Sequence, residues 1–592
     1  MSIVPLIKVT IYGPSGEKDA VLDGLQRLGC LHLNDLRSGA ATTAHITAPN
    51  ADARAALQYL QDCPVHRRPL AREADVDLQA LVKEALEVRD RRRMLDEERE
   101  QLRKWISDLE PWGDFDLPAW AQEGPLRFWF YVVPNHQLDQ VQATDVAWMV
   151  TARDHRFAYV VIVAPDQPTD MPVEPLPVQS RSLSTLRARL VQVERELDEQ
   201  DYRRIGLTLY KDKLGEALDE ADDNAARDRA ALVTFDQDQI FAVQGWAPLA
   251  RSAALRKFAG DHKLALTIEE PSPKETPPTL FANPPALRAG EGLVTFYKTP
   301  GYSAWDPSTT VLLCFTLFFA MILSDAGYGL LLGLVLLVTW KRLRGSTLQW
   351  LLAALAIAST AYGVLVGTYF GLKPPAGSWL AAAHVLDAED QTLMMLISIG
   401  IGVVQIGCAN LLAAWQRRHS LTALSSIGWT SIVFGGFCAG LGRNYALPHL
   451  FNSGVVALGL GGLLVLLFSS KHALSLAPKQ LVGRFVDGLK ELAELSKAFG
   501  DVLSYLRLFA LGLAGIKLAE VFNNLAASAF AFKGIWVIVG IFIILIGHTI
   551  NFALGILNGF VHGLRLNVIE FFNWSLHDEG MPFEAFTKKT QK

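Results

Sequence analysis

Residues 535–576 read IWVIVGIFIILIGHTINFALGILNGFVHGLRLNVIEFFNWSL, and only Arg565 and Glu570 in this run carry a formal charge. The run is about twice the ~20 residues that cross a hydrocarbon core of about 30 Å. Its polar residues are not scattered. His548, Asn551, Gly555, Asn558, His562 and Arg565 follow one another in steps of three and four. At 3.6 residues per turn they share one helix face over roughly 25 Å. The opposite face is Phe, Leu and Ile. Such a stripe implies water or a polar partner along that side; a small-residue packing seam would account for Gly555 but not for two histidines and an arginine.

The preceding run, 499–531, is nearly as apolar and holds Arg507. As one helix it would be about 50 Å long, and helices longer than the bilayer core tilt. Two long tilted neighbours lying across the membrane are therefore expected at the C-terminal end, with a break inside the 499–531 run as the alternative. Arginine keeps its proton, so placing one inside a span costs about 3 kcal/mol even on lenient scales, and function is the default reading. The competing reading is that the long side chain reaches a nearby interface. Further apolar runs cover 309–340, 347–371, 391–415, 420–441 and 451–469. The first is too long for one upright helix and carries SDAGYG at 324–329, so it divides into two short helices, giving eight spans. KRLR at 341–344, QRRH at 416–419 and the basic stretch 471–490 fall in alternate connections, whereas 372–390 and 442–450 carry little positive charge. The bias of basic residues toward the cytoplasm places both termini and 470–498 on that side.

Before about residue 300 the chain is dense in Arg, Asp and Glu. Leu81, Val88, Leu95, Leu102 and Leu109 recur every seventh position, and Leu183, Leu186, Leu190, Val193 and Leu197 alternate steps of three and four. Each stripe needs one partner stripe, which predicts an antiparallel coiled coil of about 76–110 with 181–228. A globular cap at 112–180 would close it, with strands at 128–133 and 157–163. A second globular piece would combine 1–70 with 230–270, from strands at 7–12, 31–33, 240–243 and 264–268 and helices at 18–28 and 249–260. Two separate helical bundles are the alternative. The proline-rich stretch 271–285 reads as a linker. The expected fold is thus a mostly α membrane protein: a cytoplasmic α+β and coiled-coil arm, 1–295, followed by a membrane domain, 296–592, with eight transmembrane helices.

The formal net charge of −5 offers no polyanion-binding surface, so no nucleic-acid partner is expected. Five cysteines without a CxxC pair argue against a zinc site or disulfide framework. No metal or cofactor is expected. GPSGEKD at 13–19 lacks the GxxxxGK[ST] spacing that cradles phosphates, so the chain reads as no enzyme in itself. The opening MSIVPLIKVTIYG has no signal-peptide pattern, which leaves the charged half expected in the cytoplasm.

DVLSYLRLFALGLA at 501–514 resembles the signature of subunit I, also called subunit a, of V/A-type (vacuolar and archaeal-type) ATPases. Gly547-His548, Asn551, HGLRL at 562–566 and VIEFF at 568–572 resemble that family's last span. SDAGYG at 324–329, with Tyr297, PGY at 300–302 and Asp306-Pro307 before it, is similar to its membrane entry, and GWAP at 245–248 to its soluble domain. The resemblance implies a stator subunit whose half-channels couple proton or sodium movement to ATP hydrolysis or synthesis. Its implied partners are rotor-ring subunits carrying a carboxylate, peripheral-stalk subunits, and the central stalk and catalytic subunits, all around a prokaryotic cell membrane and its lipids.

By the same resemblance Arg507 is the essential arginine and Arg565 its partner on the adjacent helix, while Glu570, Asn558, His562 and His548 hydrate or relay along the half-channels, with Asn551 beside them. Eukaryotic members often have a carboxylate at the position of Gly555; this chain has none. Glu491 and Glu494 fit either a cytoplasmic entry or a solvated amphipathic segment, and Lys517 with Glu520 either channel lining or an ion pair near the outer surface. Two other function classes compete. A self-contained secondary transporter predicts an internal repeat with paired broken helices, and none is visible. A membrane-anchored coiled-coil scaffold would need neither Arg507 nor the polar stripe.

Overall fold

The structure is a computed structural model that describes residues 2–36, 51–68, 77–115, 125–142, 146–168, 171–176, 182–375, 377–470, 478–576 and 578–589. The basic residues expected at 471–477, and parts of the two globular pieces, lie outside them. In chain order the main elements are β1 (Leu6–Pro14), α1 (Lys18–Leu28), β2 (His32–Leu33), α2 (Ala51–Gln61), α3 (Leu78–Leu109), β3 (Arg127–Pro134), β4 (Ala147–Arg153), β5 (Phe157–Ala164), α4 (Leu183–Leu207), α5 (Lys211–Val233), β6 (Phe235–Gln237), β7 (Ile240–Pro248), α6 (Ser252–Asp261) and β8 (Ala265–Glu269). The apolar half follows with α7 (Ser308–Leu323), α8 (Ala326–Thr339), α9 (Thr347–Val366), α10 (Gln391–Gln416), α11 (Ala423–Asn444), α12 (Pro448–Phe468), α13 (Pro478–Ala493), α14 (Leu495–Leu503), α15 (Leu506–Ala531) and α16 (Trp536–Arg565). The chain forms two compact units: Met1–Lys18 with Cys30–Leu36 and Thr234–Phe586, and Asp19–Gly29 with Arg37–Val233 and Thr587–Lys592.

In the second unit, α3 starts on Asp77, whose carboxylate accepts from the amides of Gln79 and Ala80, and α4 starts on Ser182. These caps satisfy amides that a helix start leaves open. The two helices pack antiparallel. Leu95, Leu102 and Leu109 meet Leu183, Leu186, Leu190, Val193 and Leu197. The repeat then changes partner: Leu81 and Val88 pack with Leu207, Leu214 and Leu218, and with Ala53, Ala56 and Leu60 of α2. Arg92–Asp201 at 2.7 Å and Arg189–Glu98 at 2.8 Å flank the seam. A three-stranded antiparallel sheet, β3-β5-β4, buries Ala158, Val160, Ile162 and Ala164 on one face of β5, as period-two alternation requires.

The first unit carries an antiparallel sheet of order β2-β7-β1-β8, with β6 also paired to β7. Val9 sits between Gly245 and Ile268 in the register. At Gly245 an added Cβ would lie 2.3 Å from the carbonyl oxygen of His32, so only glycine lets β2 close on β7 here.

Among the described residues, six helical segments of this unit are long and apolar enough to cross a membrane, and α7 and α8 are shorter apolar helices. The 309–340 run breaks where its turn residues stand. Ser324 adopts a left-handed φ of 47° and ends α7, and Asp325 caps α8. The 499–531 run takes the broken form rather than the single helix: it breaks at Ser504–Tyr505, where the amides of Arg507 and Leu508 bond three residues back. The buried Tyr505 ring holds this break against α10, where a Cβ on Gly402 would lie 2.6 Å from it. The last span ends in a π-turn, Leu566–Phe571. Gly555, Gly559 and Gly563 of α16 face Leu323, Phe319 and Phe315 of α7, a four-residue spacing on both helices that lets the two backbones approach.

Candidate functional site

The polar stripe of α16 divides into two groups with different surroundings. At the first, the Asp325 carboxylate is 1% exposed and accepts from the amides of Tyr328 (3.1 Å), Phe370 (2.9 Å) and Gly371 (2.9 Å), tying the start of α8 to the loop after α9. Asn551 donates to the Tyr328 hydroxyl (3.0 Å) and to the carbonyl of Gly515 (2.8 Å). The Tyr328 hydroxyl lies 2.7 Å from Nδ1 of His548, whose Nε2 lies 3.0 Å from Oδ1 of Asn523. Asn523 in turn donates to the carbonyl of Phe370 at 2.8 Å. Since the Asn523 amide nitrogen is committed to a carbonyl, its oxygen accepts, and Nε2 of His548 is the donor. The polar partner of His548 and Asn551 is therefore protein. Beside them, a cavity of about 140 Å³ between α7, α15 and α16 is lined by Tyr328, Asn551, Gly555 and Asn558 among apolar residues.

The second group gathers about the π-turn. Glu570, with a side chain 3% exposed, approaches Arg565 (Oε1 to Nε 3.9 Å), whose side chain is 51% exposed. His562 and Glu570 both lie in the field of Arg507 and Arg565. Arg507 Nη1, His562 Nδ1 and Glu570 Oε2 are buried and have no hydrogen-bond partner among the described residues. Unpaired buried atoms on charge-bearing groups are costly to stability. Behind it runs a chain of fully paired polar side chains: the Tyr505 hydroxyl donates to Gln405 Oε1 (2.7 Å), Gln405 Nε2 to Asn567 Oδ1 (3.0 Å), and Asn567 Nδ2 to the carbonyl of Gly563 (3.0 Å). Asp501 accepts from the Trp574 indole at 2.8 Å.

The remaining candidates lie apart. Lys517 pairs with Glu520 at 2.9 Å and with Glu389 at 3.7 Å, and Lys373 joins Glu389 at 3.0 Å. Glu491 is on α13, and the exposed Glu494 precedes α14 and approaches Lys497 at 3.9 Å. Sequence reading passed over Tyr328, Asn523, Tyr505, Gln405 and Asn567. The available signal was that Gln405 and Asn567 are uncharged polar residues deep in apolar runs, where unpaired amides are expensive. Among the described residues no three His, Cys, Asp or Glu side chains gather in a way that could hold a metal ion.

A chain whose described residues include six long apolar helices, two shorter ones and guanidinium and carboxyl groups along the last two is a multi-pass helical membrane protein. Within that class it is similar to subunit I of V/A-type ATP synthases. Residues 499–588 match the family model described as the V-type ATPase 116kDa subunit family. V-type ATP synthase subunit I of Chlamydia pneumoniae is 26% identical, over 87% of this chain and 87% of its own length. V-type ATP synthase subunit I 1 of Treponema pallidum is 26% identical over 96% of this chain and 97% of its own. A-type ATP synthase subunit I of Pyrococcus horikoshii is 27% identical over 68% of this chain and 62% of its own. The likeness read from the motifs of the last two spans thus extends through most of the chain.

Proposed function

We propose that this protein is the non-catalytic membrane stator subunit of a rotary V/A-type ATPase, forming ion half-channels against a rotor ring. The observation that carries the reading is the cluster of Arg507, His562, Arg565 and Glu570, with three buried, unpaired polar atoms, at the junction of two apolar helices. A rotor carboxylate is neutral, protonated or ion-bound, while it faces lipid. Facing the fixed guanidinium of Arg507 it is favoured in the ionised form, so the ion leaves. The same charge bars direct passage between the two access paths. His562 and Glu570 serve the path on one side of Arg507, and Asn558 with the Tyr328–His548–Asn551 group the path on the other. ATP chemistry, the central stalk and the peripheral stalks belong to other subunits of the complex.

In this reading there are eight spans, with α7 and α8 as the first two, and the N-terminal arm and C-terminus are cytoplasmic, on the side of the basic connections. Helix lengths of about 39 Å for α15 and about 45 Å for α16 support tilt, since both exceed the core. The test is copurification of the tagged protein with a rotor ring and ATPase subunits, combined with ATP-driven ion uptake by the assembled complex in vesicles. Ion transport by the chain alone, without a ring, would overturn the reading in favour of a secondary transporter.

A further inference from the structure

From Arg565 to Glu570 is five residues. Were α16 to continue as an α-helix at about 100° per residue, Glu570 would point roughly 140° away from Arg565. The chain instead enters the π-turn Leu566–Phe571. With bonds from i to i+5 and about 4.4 residues per turn, the same five steps bring Glu570 back to within roughly 50° of Arg565. The observed approach of Oε1 to Nε, 3.9 Å, agrees with that rotation. A π-turn is a one-residue slip of the helical ladder, and it persists only where its surroundings hold it.

We propose that Gln405, bonded between Tyr505 and Asn567, is a positioning residue that locks the π-turn and so turns Glu570 toward Arg565 and Arg507. The proposal rests on reading that cluster as the ion path. Asn567 is the second residue of the π-turn, and its two amide atoms are both committed, one to Gln405 of α10 and one to the Gly563 carbonyl of the preceding turn. Gln405 is committed at both ends as well, and its other partner, Tyr505, stands at the helix break two residues before Arg507. A single side chain from α10 therefore ties the segment that carries Arg507 to the segment that carries Glu570. Tyr505, Gln405 and Asn567 are 0%, 5% and 0% exposed. Buried in an apolar run, these groups have their amide orientation and register fixed by their bonds to one another.

A merely cohesive polar cluster would make the same contacts, and the test separates the two. In Gln405→Met, Tyr505 and Asn567 lose their partner; Gln405→Met combined with Asn567→Leu makes that side apolar again. ATP-driven ion uptake, ions moved per ATP, and their pH profile are measured on assembled complexes in vesicles. The expected result is that uptake falls about tenfold or more in the single and in the double variant, the scale on which displaced groups act, with a shifted pH profile. The milder Tyr505→Phe is expected to shift the pH profile in the same direction with a smaller loss. Wild-type uptake and an unchanged pH profile in the assembled double variant, or in assembled Tyr505→Phe, would overturn the proposal. Glu570→Gln is measured alongside. If it abolishes uptake while the double variant pumps normally, the brace alone fails; if Glu570→Gln itself pumps normally, the role of the carboxylate falls and the brace with it.

Discussion

Arg507 and Asp325 are both charged residues within apolar runs, yet their surroundings assign them opposite tasks. Arg507 leaves Nη1 unpaired. Arg507→Ala is expected to reduce ATP-driven ion uptake to background while the complex still assembles, and Arg507→Lys to be poorly tolerated, because lysine can lose its proton in a low-dielectric site and lacks the planar fork. Arg565→Ala, at a half-exposed side chain, is expected to impair uptake less. Near-normal pumping by assembled Arg507→Ala would sink the mechanism. Asp325 has its lone pairs taken by three backbone amides. Asp325→Ala would leave those buried donors unmet at about 1–3 kcal/mol each, so lower thermal stability and yield in detergent are expected. Uptake per assembled Asp325→Ala complex should stay near normal. A loss of transport without loss of stability would show that the carboxylate does more than hold the turn.

Among the elements, the α3–α4 pair is held by an apolar seam with exposed ion pairs beside it, and those pairs add at most about 1 kcal/mol apiece. Leu95 is 1% exposed in that seam. Leu95→Asp introduces a buried charge and removes packing worth about 2–5 kcal/mol, and Leu190→Asp does so at a half-buried position. Both are expected to loosen the arm, seen as faster proteolysis of the second unit, while α7–α16 remain folded. Unchanged proteolysis would count against the seam as the source of the pairing. The break at Ser504–Tyr505 and the π-turn show the converse case, in which one element's shape is decided by its neighbours. Nothing in DVLSYLRLF forbids a continuous helix; the ring of Tyr505 and its bond to Gln405 favour the break.

Across the whole molecule, topology is open to a direct check. Single cysteines at the exposed positions Ser346 and His419 should be labelled from the cytoplasmic side only, and at Val385, 71% exposed, from the opposite side only. The converse pattern would overturn the eight-span arrangement. The C-terminal tail offers a second check. Lys588 meets Asp23 at 2.6 Å, and Lys589 and Arg54 meet Asp222 at 2.8 and 2.5 Å. The hydrogen bond from Lys588, with the charges of Lys588, Arg27 and Arg227, holds the Asp23 carboxyl below the usual 3.8, and the bond from Lys589, with that from Arg54, does the same at Asp222. A carboxyl depressed in the folded state favours docking fully above its ordinary range and loses that contribution as pH falls through the depressed value. Protection of the C-terminal amides, relative to their unstructured exchange rate at each pH, should therefore be full above the ordinary carboxylate range and fall away below it, whereas Asp23→Asn with Asp222→Asn should release the tail at neutral pH. Slow exchange persisting in the double variant would show that the ion pairs do not hold it.

What the amino-acid order determined by itself is whatever depends on local spacing. Apolar run lengths marked the long apolar helices, SDAGYG the break between α7 and α8, and the spacing of Leu95, Leu102 and Leu109 the seam of α3 with α4. All are set by periodicity or by residues with few backbone options. The spacing of His548, Asn551, His562 and Arg565 likewise placed them on one face. What covers that face was decided only in three dimensions. Tyr328 reaches His548 from α8, 220 positions away, and Asn523 from the neighbouring α15, and together they turn half of the stripe into a satisfied protein network. Glu570 lies off the three-and-four spacing and joins Arg565 through a π-turn whose register is held from α10. No local propensity encodes such a slip, because the bond that holds its register comes from Gln405, 162 positions away.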